Sequence, residues 1–178
     1  MARAGLIACI ILLIFGRWEM PGQRSQQEKE WPTLVKVARE KGLTQEDTLL
    51  LLAIRGAEQG PAGFEFGVKA AKGTDLAEQA RWSANTIKNN RLRFNQLQTE
   101  FIYPGSRRQV TREMFWDSPN PDFIEFMGYY GGPTGYGWAP IHYQAMPEKE
   151  RRSNQNWSKN VRSLMEKYRK QFKEKGIE

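Results

Sequence analysis

A chain of 178 residues with 39% hydrophobic content can bury one compact core, and it leaves a strongly polar surface. Its 27 Lys+Arg against 20 Asp+Glu give a net charge of +7, which suits an anionic partner: nucleic acid, a membrane surface, or the anionic polymers of a bacterial wall. Cys9 and His142 are the single cysteine and histidine, which argues against an intramolecular disulfide, cysteine-built metal sites, zinc hydrolases, Cys–His nucleophiles and Ser–His–Asp triads.

Residues 4–16 form an apolar run between Arg3 and Arg17. The run is shorter than the roughly 20 residues of an ordinary spanning helix and matches a signal-peptide core. It is apolar on every side, unlike the one-sided pattern of a core helix. Gly16-Arg17-Trp18 is a poor cleavage site, so residues 1–20 read as a signal peptide or an uncleaved signal anchor. Either one implies export to the periplasm or cell envelope, with membrane contact through residues 4–16. Polar residues 21–30 then read as a linker, and 31–178 as the folded domain.

Trp31-Pro32 is predicted to open a first helix that Gly42 stops. Thr44-Gln45-Glu46-Asp47 resembles a capping box, with Asp in the place of Glu, at the head of a second helix. That helix carries Leu49 to Ile54 and Ala57, so it should be the buried central one, ending at Gly60-Pro61. Phe64–Ala71 has aromatic and β-branched character, which predicts a short strand or hairpin arm. Thr74-Asp75 should cap a third helix with Leu76, Ala80, Ala84, Ile87, Arg91 and Phe94 on one face. Residues 95–121 are irregular, and Asp122–Tyr130 makes a short helix. The following Gly131-Gly132-Pro133-Thr134-Gly135-Tyr136-Gly137-Trp138 is a poor core and a good ligand-binding loop. Trp157, Val161, Leu164, Met165, Tyr168 and Phe172 mark a long last helix. The fold class is mainly α (α+β): a helical domain with a small β-hairpin insertion, preceded by the hydrophobic segment.

Chemistry concentrates at Glu58, which ends the most apolar helix just before a Gly-Pro-Ala-Gly break. A carboxyl half against a core and half at a cleft mouth has its pKa raised toward neutrality, as a general acid requires. A helix-terminal glutamate can equally be solvated or cap a backbone amide. Glu65, Asp75, Glu113, Asp117 and Asp122 could supply a second carboxylate, although Asp75 and Asp122 fit helix caps better. Tyr136 can hydrogen-bond near a reacting centre, and Trp138 can form a sugar platform. Trp82 and Trp157 read as packing residues inside helices. No phosphate loop, zinc spacing or calcium loop occurs, so neither metal nor cofactor is expected.

The segment Ala53-Ile54-Arg55-Gly56-Ala57-Glu58-Gln59-Gly60, with Glu65-Phe66-Gly67-Val68-Lys69 after it, resembles bacterial and phage peptidoglycan hydrolases of the lysozyme-like superfamily. It is most similar to their glucosaminidase branch, where a helix ends in a catalytic Glu and a Phe-Gly-Ile-Lys-like strand follows. The resemblance implies a lysozyme-like fold with Glu58 as general acid. It places Phe66, Gly67, Val68 and Lys69 along the glycan groove and turns Tyr136 to the cleft. Asn154-Gln155-Asn156-Trp157 with Asn160-Val161 is similar to a C-terminal pattern of phage and prophage relatives, read as tying the last helix to the preceding loop. Gln59 departs from the Ser or Asn common after the catalytic Glu, and Pro-Ala-Gly-Phe is shorter than the usual insert. The implied activity is cleavage of the β-1,4 glycan backbone, as a glycoside hydrolase or a lytic transglycosylase, in phage lysis or wall remodelling, with glycan strands as the partner; nothing in the sequence demands more than a monomer. A non-enzymatic wall-binding or virion structural protein on the same scaffold is the alternative. Nucleic acid is not expected, because the cations are scattered and no reading motif occurs.

Overall fold

The computed structural model describes residues 21–96, 101–102, 109–110, 122–131 and 147–176. Five helices carry it: α1 (Pro21–Glu40), α2 (Gln45–Glu58), α3 (Leu76–Gln96), α4 (Phe123–Gly131) and α5 (Glu148–Lys175). The chain divides into two compact units, residues 1–31 and residues 32–178. The apolar run at 4–16 lies outside the described residues. Among the described residues, no helix is long and apolar enough to cross a membrane. Residues 21–30, expected as a linker, are helical, so α1 begins at Pro21 rather than at Trp31.

In the larger unit α2 is the central element, as its sequence requires. Leu49, Leu50, Leu51, Leu52, Ala53 and Ile54 are all buried. Thr44 caps it by accepting the Asp47 N–H at 3.1 Å. The capping box is only half made, because Asp47 turns its carboxylate to Arg91 instead, at 2.7 and 2.9 Å. The Arg91 guanidinium also lies 3.6 Å from the Phe123 ring centroid, so one cation joins α2, α3 and α4.

α5 packs along α2 and against α4, while α3 contacts both α2 and α4. Its core face is Val161, Leu164, Met165, Tyr168 and Phe172. Further up, the same face becomes polar: Asn154 and Ser158 are fully buried. Asp122 caps α4 through the Glu125 N–H at 2.8 Å and also receives Arg162 of α5 at 2.8 and 2.9 Å.

Gly56 sets how closely α2 and α5 approach. A Cβ there would stand 2.6 Å from the Tyr168 hydroxyl and 3.2 Å from Leu164 Cδ1. Gly56→Ala is expected to cost about 1–3 kcal/mol, as overpacked cores do. Tyr168→Phe removes the colliding oxygen, so denaturant unfolding should show the double variant losing less than the sum of the single losses.

The expected hairpin arm at Phe64–Ala71 is corrected. The segment is one tight turn, Phe64–Gly67, and a 3-10 turn, Lys69–Ala71. The Gly67 N–H bonds the Phe64 carbonyl at 3.1 Å, which closes a turn where a strand would run straight. Aromatic and β-branched residues gave the strand signal, but Gly63 and Gly67 adopt φ of +78° and +66° and bend the chain away from it. Among the described residues, strand pairing is limited to a two-residue antiparallel contact, Phe101–Ile102 with Gln109–Val110. That is less than the small β-hairpin insertion called for.

Candidate active site

Glu58 is the last residue of α2, and the chain leaves the helix abruptly after it. Gln59 takes the left-handed conformation, φ 49° and ψ 30°, and its N–H bonds the Arg55 carbonyl at 3.3 Å. It is the one described non-glycine residue with positive φ. Glycine and, less often, asparagine adopt this conformation at low cost, so glutamine here holds some backbone strain beside the acid.

The loop from Gly60 to Thr74 then folds back over the end of α2. A Cβ on Gly60 would overlap the Phe64 carbonyl oxygen, so this turn closes only on glycine. The Gly73 N–H bonds the Gly63 carbonyl at 2.7 Å and shuts the loop. Gln79 of α3, fully buried, reaches in from below; its amide donates to the carbonyls of Gly63, at 2.9 Å, and Ala71. Arg55 donates to the Glu65 carbonyl at 3.5 Å from the α2 side. The loop is thus held by α2 at Glu65 and by α3 at Gly63 and Ala71.

The Glu58 side chain is half-buried and makes two described approaches. Trp157 of α5 donates its indole N–H to Oε1 at 2.8 Å. Gly67 lies next to Oε2: a Cβ at that position would stand 3.2 Å from the oxygen. Burial pushes the carboxyl pKa above its ordinary value of 4.5, and the Trp157 hydrogen bond pulls part of the way back. Desolvation wins because the indole is neutral, and a neutral donor offsets less than a cation would.

The structure brings Glu58 and Gly67 together and adds Trp157. Val68 is half-buried beside them and Lys69 is exposed. Phe66 is placed differently from expectation. It is 5% exposed and packs into the core, so its ring is not offered to a sugar face. Glu65 is also buried, with Oε2 unpaired by any hydrogen bond. Asp75 and Asp122 are helix caps, accepting the N–H of Glu78 and Glu125 respectively at 2.8 Å. Tyr136, Trp138, Glu113 and Asp117 lie outside the described residues.

Trp157 is the group that sequence reasoning left among the packing residues. A signal for it exists. It sits between Asn154 and Ser158 on the core-facing side of α5, and a tryptophan in a buried polar patch needs an acceptor for its N–H. Among the described residues, no group of three or more His, Cys, Asp or Glu side chains could hold a metal ion. No protein-family model, curated protein or solved structure matches this chain.

Proposed function

We propose that this protein is a peptidoglycan glycosidase on a lysozyme-like scaffold, cleaving the β-1,4 glycan backbone with Glu58 as general acid. The observation that carries the reading is the Glu58 carboxyl itself. It stands at the end of the central helix, half out of water, with its pKa raised by burial and one oxygen held by a neutral donor. A carboxyl in that state keeps its proton at a higher pH than a solvated one and can deliver it to a leaving-group oxygen.

In this mechanism Glu58 protonates the bridging oxygen as the bond to the anomeric carbon breaks, and positive charge develops on the sugar. Water attack on that carbon gives hydrolysis. Attack by a muramic 6-hydroxyl gives the anhydro product of a lytic transglycosylase. Gly67, Val68 and Lys69 would border the glycan beside Glu58, while Tyr136 and Trp138 would supply a phenol and a sugar platform. The net charge of +7 supports an anionic wall as the target, and the apolar run at 4–16 supports export to it, in phage lysis or wall remodelling.

Mass spectrometry of fragments released from purified sacculi, by the parent and by Glu58→Gln side by side, tests the reading. Reducing-end or anhydro sugars that disappear in a folded variant are the expected result, and their identity names the bond and the outcome. Wall binding with no release by either protein would favour the non-enzymatic wall-binding reading.

A further inference from the structure

We propose that Trp157 is the positioning residue of the acid: its indole N–H occupies Oε1 of Glu58 and leaves Oε2, beside Gly67, to carry and deliver the proton. This deepens the glycosidase reading and rests on it. The two carboxyl oxygens have different surroundings. Oε1 lies 2.8 Å from an indole nitrogen, a group that donates and never accepts. An oxygen accepting that hydrogen bond is best as the carbonyl of the protonated acid, so the hydroxyl hydrogen belongs on Oε2. Oε2 faces Gly67, where any larger residue would place a carbon 3.2 Å away. The side of the acid that bears the proton is therefore the side next to Gly67, where the loop carries no side chain.

The indole packs beside α4. Trp157 is half-buried, and its Cε3 would lie 3.4 Å from a Cβ on Gly128, so glycine there lets α4 pass close to the ring. Among the described residues, the influences on the Glu58 carboxyl are burial and this N–H, with no ionic partner beside them. As the reaction proceeds, the Oε2–H bond breaks and a new O–H bond forms on the bridging oxygen. That oxygen keeps the electron pair of the cleaved carbon–oxygen bond, and Glu58 is left as a carboxylate. The N–H to Oε1 then becomes a charge-assisted bond and strengthens. It thus favours the state in which the proton is leaving over the one in which it is bound, which is what accelerates a step.

Trp157→Phe keeps an aromatic ring against Gly128 and deletes the N–H. Its kcat on glycan should fall roughly 10- to 100-fold, the scale of a hydrogen bond to a charged group. KM should stay within about twofold, since the loss belongs to the transition state. The alkaline limb of the pH–rate profile should move up, because the bond that favoured the carboxylate is gone. In the parent, the Trp157 indole N–H resonance, assigned by its absence from Trp157→Phe, should shift with the titration of Glu58 and go flat in Glu58→Gln. If Trp157→Phe does not fold, 3-benzothienylalanine at position 157 keeps both rings and removes only the N–H. A folded variant with parental kcat and an unmoved limb overturns the proposal, as does a flat indole resonance in an active parent. A parent that releases nothing from sacculi overturns the glycosidase reading instead, and this proposal falls with it.

Discussion

Glu58→Gln is expected to lose glycan cleavage by about 10²- to 10⁴-fold, the usual worth of a positioned general acid, while melting at a higher temperature than the parent at pH 7. The second half follows from the first by linkage. Burial raises the pKa of Glu58 above 4.5, so the folded chain holds this proton more tightly than the unfolded chain does. The ionised carboxylate is then a cost to folding. The cost is absent below the unfolded pKa and grows as pH rises through the folded pKa. Glutamine is neutral throughout and can still accept the Trp157 N–H through its amide oxygen. The stability gain should therefore be present at pH 7 and shrink toward zero near pH 4, about the pKa of a free glutamate. Thermal melts at both pH values, with glycan release on the same samples, give the answer. A variant less stable than the parent at pH 7 would contradict the burial cost, and one with parental activity would remove Glu58 as the acid.

The second large effect belongs to Gly67→Ala, and Gly73→Ala is its control. Both glycines have positive φ, +66° and +89°, and an L-residue in the left-handed region costs about 1–2 kcal/mol. Both variants should lose stability on that scale in denaturant unfolding. They differ in what the new methyl group meets. At position 73 nothing lies within 4 Å, whereas at 67 the carbon arrives 3.2 Å from Glu58 Oε2 and 3.9 Å from Cδ. Displacing the acid or covering its oxygen should cost Gly67→Ala on the order of 10²-fold in kcat. Gly73→Ala should keep nearly all its activity. Equal activity in the two would show that Oε2 is not the reacting face.

Much of the helical frame could be read directly. The leucine run of α2, the Asp75 and Asp122 caps and the spacing along α5 each report a local rule, and each rule acts within a few residues. The loop after Glu58 could not be read in the same way. Its aromatics promised a strand, and its geometry is instead decided by glycines at positive φ and by Gln79, a buried amide on another helix. Phe66 failed for a related reason. Its strand-like context said nothing of which side would be covered, and the turn closed by Gly67 put it in the core. Glu58 was legible because its own helix supplies its burial. Its partner was only half legible: the polar context of Trp157 calls for an acceptor, but no pattern inside α5 names which one.

The Trp157–Glu58 hydrogen bond joins residues 99 positions apart in the chain. At a synthesis rate of 5–20 residues per second, the acid is made about 5–20 s before the helix that orients it. For that interval α2 also lacks the face of α5 that buries its leucines. On the proposed reading, the Glu58–Trp157 pair is complete only once α5 has emerged and docked.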